Sequence, residues 1–282
     1  MTRLFTSNKL NAVMIMMAFA LVIAGCSSST EKKEEKTAWD TIKEEGKLTV
    51  ATSGTLYPTS YHDSETNELT GYEVEVVREM AKRMDMEAEF SEMAFDGMLT
   101  SIQSGKVDIA ANDIMINNER KEKFEFANPY KFSYGTAMVR KDDLSGIKSL
   151  EDLKGKKAAG EATTTYMAVA REYGAEEVIY DNATNDQYLR DVSTGRTDVI
   201  LNDYYLQRLA VAAFPDLNIA IHPDIKFNPN SQGIIMKKGS AELKKNIDAA
   251  LKEMHEDGTI SEISKKFFDG ADVSKKPNVD FE

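Results

Sequence analysis

Two segments of the chain follow one plan. Ser104-Gly105-Lys106-Val107-Asp108-Ile109-Ala110-Ala111-Asn112-Asp113 reads like Thr194-Gly195-Arg196-Thr197-Asp198-Val199-Ile200-Leu201-Asn202-Asp203. Each runs from a turn into a short apolar stretch and closes on Asn-Asp. Strand-end turns recur in α/β proteins, so chance likeness is the competing explanation. The pattern around the pair argues for two lobes of similar build. Short apolar stretches predict strands at Lys47–Thr52, Glu87–Met93, Val107–Ala111, Tyr134–Arg140, Lys156–Gly160, Glu177–Tyr180, Asp198–Leu201, Asn218–Ile221 and Gly233–Lys237. Helical spacing between them predicts Tyr72–Met84, Phe95–Ser104, Thr164–Tyr173, Asp186–Ser193 and Tyr204–Ala213, with Ala241–Glu256 and Ser261–Phe268 closing the chain. Strands alternating with helices predict an α/β fold with mainly parallel sheets. In such sheets ligands bind beyond the carboxyl ends of the strands, where Asn112-Asp113 and Asn202-Asp203 stand.

The 282 residues suffice for two modest domains, and the net charge of -12, with no basic stripe, argues against a nucleic-acid partner. The first 25 residues differ from the rest. Arg3 and Lys9 precede an apolar run from Ala12 to Ala24, too short to span a bilayer comfortably, and the run ends in Ile23-Ala24-Gly25-Cys26. Small residues before a cysteine match the bacterial lipobox, so residues 1–25 are expected to be a lipoprotein signal peptide and Cys26 the lipidated N-terminus. Cys26 is the sole cysteine, which leaves no thiol for disulfides, metal clusters or nucleophilic catalysis. Residues 26–38, rich in Ser, Lys and Glu, are expected to be a flexible tether. The folded part then sits outside the cytoplasmic membrane, held to it by lipid.

Several residues near predicted strand ends could hold a ligand. Arg120 follows one, and a guanidinium can clamp a carboxylate with two parallel hydrogen bonds; a solvated surface arginine is the alternative. Gly160 to Tyr166 leaves a strand and opens a helix, where free N–H groups and the Thr163 and Thr164 hydroxyls suit an anion, or simply cap the helix. Asp203 could accept from an ammonium or cap the helix beginning at Tyr204. Tyr57, Tyr61 and Phe95 could sandwich an apolar or sulfur-bearing side chain, or belong to the core. Taken together, Arg120 with the Thr-rich helix start and Asp203 describe the two poles of an α-amino acid.

At these residues the chain resembles the family 3 extracellular solute-binding proteins of amino-acid ABC importers. The likeness spans Trp39 to Val273 and rests on Leu69-Thr70-Gly71-Tyr72-Glu73-Val74-Glu75, Ser104 to Asp108, Asn117-Asn118-Glu119-Arg120, Phe126-Ala127-Asn128-Pro129-Tyr130, Ser149 to Lys156, and Asp257-Gly258-Thr259. The resemblance implies a periplasmic-binding-protein-like fold of type II, with two lobes joined by two crossover strands. Lobe 1 would comprise residues 39–136 and 232–282, and lobe 2 residues 137–231. It also implies that Arg120 and the Thr163–Thr164 backbone take a carboxylate, that Asp203 takes an amine, and that Phe95 is one face of the side-chain sandwich. The facing aromatic would stand at Leu56, so Tyr57 or Tyr61 would replace it. Asn112, Asp113 and Met115 complete the expected site; Met115 stands where many relatives carry Thr or Ser and can offer a carboxylate only its backbone N–H. Ser53 occupies a position that is acidic in receptors for cationic amino acids, which disfavours lysine, arginine and ornithine. Tyr57 to Asp63, Thr184 to Asp191 and Asn202 to Tyr205 look like the cystine-binding branch.

The resemblance therefore implies a monomeric receptor for L-cystine or a related sulfur amino acid, with permease subunits as membrane partners and their ATPase acting indirectly. No cofactor or metal is expected. Ligand would close the lobes over itself and order the hinge near Tyr134–Arg140 and Asn230–Met236. Competing readings are a receptor for another neutral polar amino acid such as glutamine, a dehydratase-type enzyme on the same bilobal fold, and the detached input module of a sensor. His62, His222 and His255 show no metal-ligand spacing, and no Gly-x-Ser-x-Gly elbow or phosphate loop appears.

Overall fold

The computed structural model describes residues 37–180 and 183–279. The expected signal peptide, the lipidation at Cys26 and the tether as far as residue 36 lie outside the described residues. The tether expectation runs to residue 38, but the chain is helical by then. Thr37 caps α1 (Ala38–Glu45): its hydroxyl accepts from Asp40 N at 3.2 Å, and the Asp40 carboxylate accepts from Thr37 N at 2.9 Å.

The chain then forms β1 (Lys47–Thr52), the small antiparallel sheet β2 (Thr55–Leu56), β3 (Ser60–His62) and β4 (Leu69–Thr70), and α2 (Tyr72–Arg83). Next come β5 (Glu87–Glu92), α3 (Phe95–Ser104), β6 (Ile109–Ala110), α4 (Asn118–Lys123) and β7 (Phe124–Phe126). A long strand, β8 (Lys131–Arg140), leads to β9 (Lys157–Gly160), α5 (Thr165–Glu172), β10 (Glu176–Ile179), α6 (Asn185–Ser193), β11 (Ile200–Asp203) and α7 (Tyr204–Ala213). A second long strand, β12 (Ile219–Gln232), returns to β13 (Ile235–Lys237), α8 (Ala241–Glu256) and α9 (Thr259–Phe267).

The first lobe is a sheet in the order β5-β1-β6-β13-β7, parallel at β5, β1 and β6 and antiparallel at β13. Apolar residues explain the layering. Leu48 and Val50 of β1 meet Val76, Val77 and Met80 of α2 and Leu243, Ile247 and Leu251 of α8 in one buried cluster. Spacings of three and four put each helix's apolar face on the sheet. The second lobe joins β11-β8-β12 to the β9–β10 pair through an Ala158–Val199 bridge, with α5 packed beside it.

The two long strands connect the lobes. β8 and β12 pair antiparallel from Lys131–Gln232 to Arg140–Ile219, with irregularities after Ile221 and Phe227. Positions 136 and 231, the expected lobe boundaries, fall inside these continuous strands. Gly135 lies opposite both Phe227 and Asp203, and a Cβ there would stand 2.5 Å from the Phe227 ring. Only glycine lets the three strands meet without displacing that ring. Helix α7 serves both lobes: Leu206 and Leu209 join the first lobe's core, and Ala210 the second's.

Candidate functional site

A cleft of about 1030 Å³, part of it open to solvent, runs between the lobes. Ser53, Phe95, Asn112, Asp113, Met115 and Arg120 line it from the first lobe, and Thr164, Tyr166, Tyr188 and Asn202 from the second. The lining segments follow the ends of β1, β6, β9 and β11, as the repeated Asn-Asp motif implied. Asn112 braces the rim: its side-chain oxygen accepts from Ser53 N at 3.0 Å.

One wall is positively polarised. Arg120 is buried in α4, and its guanidinium donates to Met115 O at 3.0 Å and to Thr163 O at 3.1 Å. It also lies 5.4 Å from the centroid of the Phe95 ring. No acidic side chain among the described residues pairs with it, and burial lowers its pKa. Beside it α5 begins. The Thr164 hydroxyl accepts from Met167 N at 3.1 Å, while the N–H groups of Thr165 and Tyr166 stand in the first turn, which has no intrahelical acceptors. The Tyr166 hydroxyl is buried near the Asn230 side chain and makes no well-formed hydrogen bond among the described residues. A guanidinium, two free amides and a hydroxyl together form an anion-binding surface.

Behind the cleft-lining Asp113 lies a buried cluster of the opposite charge. Lys131, the first residue of β8, has no exposed side-chain surface and donates to Asp113 Oδ1 and Asp203 Oδ2, both at 2.6 Å. Asp203 also caps α7, accepting from Leu206 N at 3.1 Å. Behind Asp113, Glu73 of α2 accepts from Asp113 N at 2.6 Å and from the Tyr130 hydroxyl. Two carboxylates thus share one ammonium, with a third, Glu73, behind them. Burial pushes the Glu73 carboxyl up to about 7, helped by the charge on Asp113. Burial likewise pushes Asp113 up to about 6, against the pull of Lys131. Lys131 itself resists the lowering effect of burial and is held above its ordinary value by its two aspartates.

Most of the residues expected from sequence converge. Ser53, Phe95, Asn112, Asp113, Met115, Arg120 and Thr164 line the cleft. Four do not. Tyr57 is 39% exposed and stacks edge-on with Tyr61 at 4.8 Å, away from the cleft; Thr55 and Leu56 of the same segment line it instead. The Thr163 side chain faces Asp96, to which its hydroxyl donates, and only its carbonyl reaches Arg120. Asp203 is wholly buried behind Lys131 and fills the capping role that sequence had offered as its alternative. Lys131, Glu73 and Tyr166 were not singled out. A lysine or glutamate beside apolar residues gives no periodic signal of burial, because its partners are distant in sequence.

Among the described residues, three hydrogen bonds cross the cleft. Arg120 reaches Thr163 O, the Asn117 amide donates to Thr165 Oγ1 at 3.2 Å, and Thr163 donates to Asp96.

This geometry coincides with a family assignment. The model of the bacterial extracellular solute-binding proteins, family 3, matches residues 48–270. The chain belongs to that family. It is 63% identical over 266 residues to the probable ABC transporter extracellular-binding protein YckB of Bacillus subtilis (strain 168), covering 94% of this chain and 93% of that one. It is 36% identical over 267 residues to the L-cystine-binding protein TcyA of the same organism, covering 93% and 97%. The crystal structure of YckB superposes with a TM-score of 0.70 at 67% identity, covering 86% of this chain and 98% of that one. The chain is therefore an extracellular solute-binding protein of two-lobed α/β fold, as the resemblance implied.

Proposed function

We propose that the protein captures an amino-acid zwitterion and presents it to the permease of an ABC importer. One observation carries this reading. A single cleft has on one wall a buried guanidinium with no acidic partner among the described residues, beside a helix start, and on another the Asp113 carboxylate, backed by Lys131 and Asp203. A small molecule with an acid group at one end and an ammonium at the other matches both. Charge-assisted hydrogen bonds contribute about 1.5–3 kcal/mol each, and a few of them, less ordering costs, support roughly micromolar binding.

L-cystine or a related sulfur amino acid is the foremost ligand in this reading. The likeness to TcyA supports it. So do Met115, Met138 and Leu206 in the lining, which suit a polarizable sulfur chain better than a cationic one. The protein acts as a monomer, releases its ligand unchanged, and is held to the outer face of the cell membrane by lipid on Cys26. Mass spectrometry of ligand freed from gently purified protein, with a thermal-shift panel of L-cystine, L-cystathionine, L-methionine, L-glutamine and L-arginine, tests the reading. Stabilisation by L-cystine or L-cystathionine above the rest is expected. Stabilisation by L-arginine alone would overturn the sulfur specificity, and turnover of the bound compound would overturn the receptor reading.

A further inference from the structure

We propose that Asp113 is the carboxylate that receives the ligand's ammonium, with Lys131 as its positioning residue. This deepens the zwitterion reading and rests on it. Asp203, the acceptor expected from sequence, is poorly placed for the task. Its side chain is 0% exposed, it does not line the cleft, Oδ1 is taken by Leu206 N and Oδ2 by Lys131. Asp113 differs in each respect that matters. It lines the cleft, its side chain is 5% exposed, and only Oδ1 is engaged by Lys131; Oδ2 makes no hydrogen bond among the described residues. A carboxylate that lines a cleft, has little exposed surface and keeps one oxygen without a donor among the described residues gains from a donor that arrives with the ligand.

Charge balance points the same way. Lys131 pairs with both Asp113 and Asp203, and Glu73 lies next to Asp113, so the cluster holds more carboxyls than cations. Burial first, and the neighbouring carboxylates after it, raise the Glu73 and Asp113 carboxyls, in keeping with that deficit. A ligand ammonium at Asp113 Oδ2 relieves it. Arg120 stands on the same connection after β6, bonded to the carbonyl of Met115, so one short segment of chain presents both the cationic and the anionic contact. Lys131 fixes the Asp113 carboxylate from the crossover strand and ties it to Asp203 at the start of α7, which joins the amine site to the hinge.

Isothermal titration of the wild-type protein, Asp113→Asn and Asp113→Ser tests this. Each is titrated with the tightest amino acid of the panel and with the same molecule carrying hydrogen in place of its α-ammonium; for L-cystine that probe is dithiodipropionate. Circular dichroism of both variants confirms folding, and Asp113→Asn retains an acceptor for Lys131. The expected result is a loss of about 10- to 100-fold for the amino acid in both folded variants, with the deaminated probe changed less than about threefold. Amino-acid affinity equal to wild type in either folded variant overturns the assignment to Asp113 while leaving the zwitterion reading intact. Equal losses for both probes also overturn it, since the effect would then not concern the amine. Failure of the wild-type protein to bind any amino acid of the panel overturns both readings.

Discussion

Glu73 follows the cap of α2 and is wholly buried, yet it carries a carboxyl pushed up to about 7 from an ordinary value of 4.5. The sign of its contribution to stability follows. Between pH 4.5 and about 7 the folded chain keeps a proton that the unfolded chain has released. Folding is therefore favoured at the lower end of that window, and stability falls as pH rises through it, by on the order of 1 kcal/mol per pH unit. Asp113, raised to about 6, adds to the slope at the acidic end. Glu73→Gln keeps an acceptor for Asp113 N and Tyr130 while removing the titration. Urea denaturation at several pH values between 5 and 8 should show wild-type stability declining with pH and a flatter profile for the variant. Parallel profiles would show that Glu73 does not titrate in that range. These buried charges were the least legible part of the sequence. Arg120 was visible because it follows a strand end in a motif, whereas Lys131 follows Pro129-Tyr130 with nothing nearby to announce two aspartates from elsewhere in the chain.

At the scale of elements, most helices were legible because three- and four-residue spacing survives in them, and the short parallel strands because apolar runs mark them; α1 and α4 went unread. The crossover strands were legible only in part. Sequence placed strands at Tyr134–Arg140 and Asn218–Ile221, whereas β8 begins at Lys131 and β12 continues to Gln232. Pro223, Pro229 and the register irregularities interrupt alternation in β12, so pairing with β8 extends a strand that its own pattern does not mark. The sheet β2-β3-β4 went unread because its strands are too short to show a period. The start of α5 and the start of α3 meet across the cleft through Thr163 and Asp96. That contact exists only when the lobes are together, so it stabilises the closed arrangement alone. Asp96→Ala should leave the fold unchanged, weaken ligand affinity by about 2- to 10-fold, and raise the population of open molecules. Titration calorimetry and circular dichroism measure the first two, and unaltered affinity would remove the latch from the mechanism.

At the scale of the molecule, ligand can close two lobes only through contacts that are better when they are closed. In the proposed function Arg120 would supply such a contact from the first lobe and the N–H groups of α5 from the second, with a bound carboxylate bridging them. If the lobes turn on β8 and β12, the two continuous strands that join them, they would permit rotation more readily than translation. Closure then converts occupancy of a small site into a change of overall shape that a permease touching both lobes can read. Small-angle scattering on wild-type protein, stripped of ligand by mild denaturation and refolding, should show a larger radius of gyration than the same sample saturated with the panel's tightest amino acid. Asp96→Ala should enlarge the ligand-free radius further, and saturating ligand should restore the compact value, because the ligand's own bridging outweighs one lost hydrogen bond. Identical profiles with and without ligand in the wild type would mean that the lobes are closed regardless of occupancy. The permease would then have to sense the ligand through local chemistry at the cleft mouth rather than through the distance between lobes.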